Sequence, residues 1–165
     1  MEGKQMELFQ VSKYLDVEHT IAKYMFDPVE NPWEVLPSIS IFIEQLGPML
    51  PSEEFEQRGS NVWISKSAVI APTAYIGGPC IIDAGTEVRH CAFIRGSVII
   101  GKNCVIGNST EVKNSIIFDE VQIPHYNYVG DSILGFRSHL GAGAITSNVK
   151  NDKSNVEVNF ALGKM

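Results

Sequence analysis

The sequence predicts a mainly β fold, a parallel β-helix of six-residue units, and three observations carry that expectation. From Val62 to Lys113 an aliphatic residue returns at every sixth position: Ile64, Ile70, Ile76, Ile82, Val88, Ile94, Ile100, Ile106 and Val112. Two residues before each stands a small or β-branched one, from Val62, Ala68 and Ala74 through to Thr110. Between these pairs lie Gly78, Pro79, Gly85, Gly96, Gly101, Asn103, Gly107 and Asn108, residue types suited to positive or fixed φ. A helix would need apolar spacing near 3.6 and a long half-buried strand would need strict alternation, so neither explains the period. Positions two apart in a strand share a face, so each unit sends one small and one large side chain inward and then turns. A single unit cannot bury its inner face, but stacked units can. Three units make a triangular coil and nine make three coils. Ile64, Ile82 and Ile100, eighteen residues apart, should therefore stack in one inward column.

Taken in order, residues 1–60 form a helical cap, 61–150 the β-helix and 151–165 a tail. In the cap, Asp16 reads as an N-cap, with Val17, Ile21 and Tyr24 or Met25 at helical spacing. That predicts a short amphipathic helix ending before Pro28. Asn31-Pro32-Trp33-Glu34 reads as a capping box with proline in the first turn, followed by the apolar series Leu36, Ile39, Phe42, Ile43 and Leu46. Pro37 should bend or restart this second helix and Gly47-Pro48 should stop it. A solenoid needs its ends protected, so the segment is expected to cover the open end of the first coil. Residues 51–61 read as the connection into the repeat. After Lys113 the frame slips, and Pro124, which has no N–H to donate, should mark a bulge or loop. The repeat resumes through Val129, Leu134, Leu140 and Ile145.

At 165 residues, with 44% hydrophobic and 19% charged, the chain is long enough to bury one sizeable core. No run of eighteen apolar residues occurs, and Met1 to Gln10 lacks the order of a signal peptide. A cytoplasmic protein with no membrane partner is expected. The net charge of −6 argues against nucleic acid, and leaves room for an anionic small molecule where basic residues gather. Three cysteines without a CxxC pair speak against a disulfide framework or a zinc cluster. Cys80 and Cys104 occupy small inward positions and should be buried.

The segments IRGSVIIGKNCVIGNSTEVKNS and PHYNYVGDSILGFRSHLGAGAITSN resemble the acetyltransferase half of bacterial N-acetylglucosamine-1-phosphate uridyltransferase. The resemblance runs from about Ile94 to Asn148, with the earlier repeats fitting the same fold. It implies a single-stranded left-handed coil and a homotrimer with sites between neighbouring subunits. It also implies acetyl-CoA as acyl donor, and an amino-sugar phosphate or sugar nucleotide of UDP-N-acetylglucosamine metabolism as acceptor. Residue by residue it implies Arg95 and Lys113 as phosphate ligands, His125 as general base with Glu111 near it, and Tyr128 as a sugar contact. Ala142 and Asn148 match acyl-CoA contacts, and no metal is implied. His139 stands where the family has a sugar-contacting asparagine, and Val149 where it has tyrosine. Residues 1–60 are too few for the family's nucleotidyltransferase half, and no glycine-rich nucleotide loop is present.

The residue types suit that chemistry. An amine must lose a proton as it attacks a thioester, and a histidine with pKa about 6.5 can take it. A backbone N–H of Gly141-Ala142-Gly143 could meet the oxyanion. Arg95 and Lys113, eighteen residues apart, fall on one corner of successive coils. Like charges stacked about 4.8 Å apart are costly unless an anion joins them or they splay into solvent. Glu111, two positions from Lys113, offers a third resolution by pairing with it. Two other functions compete: a non-catalytic trimeric sugar-nucleotide-binding module, and a γ-class carbonic anhydrase using zinc on three histidines. His90, His125 and His139 suggest the latter, but the histidine pair five apart that it requires is absent. With Val149 in place of an aromatic and little chain beyond Asn148, sugar-phosphate binding is expected to be stronger than acetyl-CoA binding.

Overall fold

A computed structural model describes residues 9–146, 150–152, 154, 159, 160, 163 and 164. Thirteen short strands wind into a parallel coil with three faces. The first face carries β2 (Val62–Ser65), β5 (Cys80–Ile82), β8 (Val98–Ile100), β11 (Ser115–Ile117) and β14 (Ile133–Leu134). The second carries β3 (Val69–Ile70), β6 (Glu87–Val88), β9 (Val105–Asn108) and β12 (Gln122–His125). The third carries β4 (Tyr75–Ile76), β7 (Phe93–Ile94), β10 (Glu111–Lys113) and β13 (Tyr128–Gly130). An antiparallel strand, β1 (Phe55–Gly59), pairs with β2 and takes up the edge of the first coil. The pair Asn159–Phe160 and Gly163–Lys164 is also antiparallel. No helix among the described residues is long and apolar enough to cross a membrane.

The inward columns follow the sequence period. Ile64 pairs with Ile82 and Ile82 with Ile100, and the column continues through Ile117 to Leu134. Ile64, Ile82, Ile100 and Ile117 are buried, as are Cys80 and Cys104. Burial pushes both thiols up to about 12, which keeps them protonated and inert. The slip after Lys113 has a definite form: pairing steps of eighteen residues, such as Val98 with Cys80, become steps of seventeen, such as Ser115 with Val98. The corner between β7 and β8 uses two left-handed residues, Gly96 (φ 107°) and Ser97 (φ 53°), whereas that between β10 and β11 uses only Asn114 (φ 42°). One residue is lost at the corner, and the inward set stays inward.

Several local expectations are corrected. Left-handed corner positions are filled mostly by residues other than glycine: Asn61, Cys91, Ser97, Asn103, Ser109, Asn114, Glu120, Tyr126, Asp131 and Arg137. Gly107 serves close approach instead, since a Cβ there would overlap the Pro124 carbonyl. Pro124 itself lies inside β12, with Ile123 and His125 paired to Ile106 and Asn108. Gln122 directs its N–H and C=O toward Ser138 and Leu140, so by alternation the Pro124 nitrogen also turns toward the last coil. Pairing there is reduced to isolated bridges, and proline is tolerated at such an edge.

The amphipathic helix expected after Asp16 is two 3₁₀ turns, Val17–His19 and Lys23–Met25. Thr20 breaks it: its backbone is extended and its buried hydroxyl accepts the Ala22 N–H at 3.1 Å. Asp16 does act as an N-cap, accepting the Glu18 N–H at 3.3 Å. The Asn31–Glu34 box forms through the Asn31 N–H to Glu34 Oε1 at 3.2 Å. A 3₁₀ segment, Pro32–Ser38, contains Pro37, and the α-helix restarts as Ile39–Leu46.

This N-terminal segment runs as a strap along the outside of the first face, from the fifth coil to the first. Leu15 lies over Gly135, the His19 ring stacks on Phe136 with centroids 3.6 Å apart, and the Phe26 ring meets Phe118 edge-on. Helix Ile39–Leu46 contacts β5 and β8, and Gly47 lies against the Trp63 indole. Beneath it are the outward residues Ile81, Ile99 and Ile116, each 0% exposed. Their triplets, Cys80-Ile81-Ile82, Val98-Ile99-Ile100 and Ser115-Ile116-Ile117, are apolar on both faces, which is the pattern of a strand covered on both sides.

Candidate active site

With the first face covered, the outer surface of the third face is where the candidate residues gather. Its register aligns Tyr75, Phe93, Glu111, Tyr128 and Ile145 in one outward column. One position beyond each inward residue a second outward column holds Arg95, Lys113 and Gly130, the last two paired directly. Outward residues of parallel strands stack about 4.8 Å apart, so both cations sit within reach of the same ligand.

Their charges are balanced by carboxylates from the coil above. Arg95 Nη1 lies 2.8 Å from Glu111 Oε1, and Lys113 Nζ lies 2.9 Å from Asp131 Oδ2. Asp131 also accepts from Asn114 Nδ2 at 2.8 Å. Hydrogen bonding to Glu111 holds the Arg95 pKa above its ordinary value, and hydrogen bonding to Asp131 does the same for Lys113, against the opposing charge of Arg95. Glu111 thus pairs with Arg95 rather than with Lys113. Tyr128 adds a hydroxyl to this corner: a Cβ on Gly130 would come within 2.6 Å of it, so glycine there leaves room for the phenol to lie over the column.

His125 ends β12 at the corner between the second and third faces. Its imidazole is exposed and has no hydrogen-bond partner among the described residues. The Gly141-Ala142-Gly143 turn lies one coil further on, and the Gly143 N–H donates to the His125 carbonyl at 3.0 Å. That bond leaves the N–H groups of Gly141 and Ala142 without a backbone partner among the described residues. His139 lies elsewhere: it bridges to Gln122 on the second face, away from Arg95, Lys113 and Tyr128 of the same chain. Asn148 and Val149 fall outside the described residues. His90 Nδ1 is engaged by Thr73 Oγ1 at 2.9 Å. No group of three or more His, Cys, Asp and Glu side chains among the described residues is arranged to hold a metal.

Two residues of the site escaped the sequence reading. Asp131 stands eighteen positions after Lys113, which was signal enough for a carboxylate on the same corner. Asn127 follows Ala74, Ala92 and Thr110 in the small inward column, and is only 3% exposed. A carboxamide in that column was out of place, and its burial requires partners.

The coil and its period define a hexapeptide-repeat parallel β-helix protein, with a row of charged side chains on the outside of one face. Residues 76–162 match the model of the GMPPB C-terminal domain, and the chain belongs to that family. It is 38% identical over 157 residues to the "Bifunctional protein GlmU" of Methanococcus maripaludis, covering 93% of this chain and 37% of that protein. It is 28% identical over 168 residues to the "Bifunctional sugar-1-phosphate nucleotidylyltransferase/acetyltransferase" of Sulfurisphaera tokodaii, covering 96% of this chain and 41% of that protein. The chain thus spans about two fifths of the length of these curated relatives. Among solved structures, the acetyltransferase domain of PglB from Neisseria gonorrhoeae overlaps 52% of this chain and 49% of that one, at 20% identity and a TM-score of 0.45. The resemblance read from PHYNYVGD and GAGAIT is borne out by the curated relatives.

Proposed function

We propose that the protein transfers an acetyl group from acetyl-CoA to the amine of an amino-sugar phosphate or sugar nucleotide, as a homotrimer in the cytoplasm. The observation that carries the reading is the convergence of Arg95, Lys113 and Tyr128 on one face, one corner away from an exposed, unpartnered His125. The phosphate replaces the carboxylates as the partner of Arg95 and Lys113, trading one charge-assisted pairing for another. The neutral amine then attacks the thioester carbonyl carbon, its proton passes to the His125 imidazole, and the C–S bond breaks. The imidazolium returns the proton to the leaving coenzyme A thiolate, so no cysteine or serine nucleophile is required. The negative charge on the carbonyl oxygen is met by the Ala142 N–H. In this reading His139, exposed on the second face, contributes to the site of a neighbouring subunit rather than to that of its own chain.

The test is release of coenzyme A from acetyl-CoA across a panel of amino-sugar phosphates and sugar nucleotides. Parental turnover that falls about a hundredfold or more in His125→Ala is the expected result. Equal, near-zero rates in both, with retained sugar-phosphate binding, would replace the enzyme by a binding module.

A further inference from the structure

Asn127 makes more connections to the candidate site than any other buried side chain described above. Its Oδ1 accepts the His125 N–H at 3.0 Å, and its Nδ2 donates to the carbonyls of Gly141 at 2.7 Å and Ala144 at 3.3 Å. Its own carbonyl accepts the Glu111 N–H at 2.9 Å. One side chain therefore ties the segment bearing the candidate base to the turn bearing the candidate oxyanion donor.

Closing the corner does not require it. At the same column position one, two and three coils earlier, Thr110, Ala92 and Ala74 close theirs by donating backbone N–H groups to the carbonyls of Gly107, Arg89 and Ala71, at 3.3, 3.2 and 2.9 Å. The fourth coil departs from that pattern because the Pro124 carbonyl occupies the space that glycine leaves at position 107. The Asn127 N–H turns instead toward Thr110 Oγ1, 3.5 Å away. Burying a primary amide in an apolar column is costly unless its hydrogen-bonding capacity is met. Here it is met by backbone groups flanking His125 and Ala142, a length of carboxamide that alanine or serine would not span.

We infer that Asn127 is a positioning residue of the acyl-transfer centre, its carboxamide setting the separation between the His125 imidazole and the Ala142 N–H. This rests on the acyl-transfer reading above. Amine, base and oxyanion donor must be aligned together in the transition state, so a shift of about 1 Å between the two corners acts on kcat. Ground-state sugar binding, made by Arg95, Lys113 and Tyr128 on the third face, is left alone.

The experiment measures kcat and KM by coenzyme A release for the parent, Asn127→Ala, His125→Ala and the double variant, each well below its melting temperature. Asn127→Asp is a second probe that preserves shape and the acceptor for the His125 N–H while losing the donor to Gly141. Both Asn127 variants should lower kcat about tenfold or more, with KM for the amino-sugar phosphate changed by no more than about twofold. The double variant should lose clearly less than the product of the two single losses, because the part of the Asn127 effect that runs through the base is already gone in His125→Ala. Unchanged kcat in both Asn127 variants overturns the positioning role and leaves acyl transfer standing. So does a double variant whose loss is the product of the single losses, which marks general loosening of the coil. A parent that releases no coenzyme A with any acceptor overturns the acyl-transfer reading and the positioning role with it.

Discussion

The first and third faces of the coil are built from the same six-residue unit and differ in what stands on their outer surface. On the first, Ile81, Ile99 and Ile116 are fully buried beneath the N-terminal strap. On the third, the matching outward column reads Tyr75, Phe93, Glu111 and Tyr128, and next to it stand Arg95 and Lys113 with their carboxylate partners. Inward residues set the coil and are nearly interchangeable between faces. Outward residues decide whether a face is covered by the rest of the chain or stays open.

The sharpest way to break this comparison is to place a charge on each face. Ile99→Asp buries an unpaired carboxylate beneath helix Ile39–Leu46 and should cost about 4 kcal/mol or more, enough to leave the chain unfolded by circular dichroism. Phe93→Asp, outward on the third face and 42% exposed, should retain the folded spectrum. A folded Ile99→Asp protein would show that the strap is dispensable. Next in size is the strap itself. Ile43 is 0% exposed, and Ile43→Ala should lower stability by about 2–5 kcal/mol in urea titrations through lost transfer energy and a cavity.

The smallest effect concerns the corner that leaves the first face after β5. Burial raises the Asp83 pKa above 3.8, assisted by Asp119 and Glu54 and opposed by the Ala84 N–H and Lys102. The folded chain then holds this proton more tightly than the unfolded chain, so stability falls as pH rises from 3.8 through the folded pKa and stays lower above it. Asp83→Asn keeps an acceptor for the Ala84 N–H, 2.7 Å away. Its melting temperature should match the parent's below pH 3.8 and exceed it modestly at neutral pH. Coincident melting curves across the whole range would remove Asp83 from the pH dependence.

The inner surface was legible in the sequence because its period is strict. The column Ile64, Ile82, Ile100 follows from spacing alone, and the slip after Lys113 was visible before its cause. The strap was not, because covering a flank and capping an end both demand an apolar N-terminal segment. The decisive signal lay in the coil, where Ile81, Ile99 and Ile116 face outward and would be stranded without a cover. Propensity assigns the left-handed corners to glycine and asparagine, yet repeated backbone hydrogen bonds between coils hold Ser, Glu and Tyr there as well. In the site, the motif pointed to His125, Glu111, Arg95, Lys113 and Tyr128, while alignments such as Lys113 with Gly130 needed the seventeen-residue step that the even hexad concealed.

The third face is the proposed ligand face, and calorimetric titration of glucosamine 1-phosphate into the parent and into Lys113→Ala tests that assignment most directly. Loss of one charge-assisted contact should weaken binding by about 1.5–3 kcal/mol, an effect that shrinks as salt is raised. Ile43→Ala, in the strap over the first face, should leave the affinity unchanged while it remains folded. Equal affinities for the parent and Lys113→Ala would contradict the account, returning Arg95 and Lys113 to the role of surface ion pairs with Glu111 and Asp131.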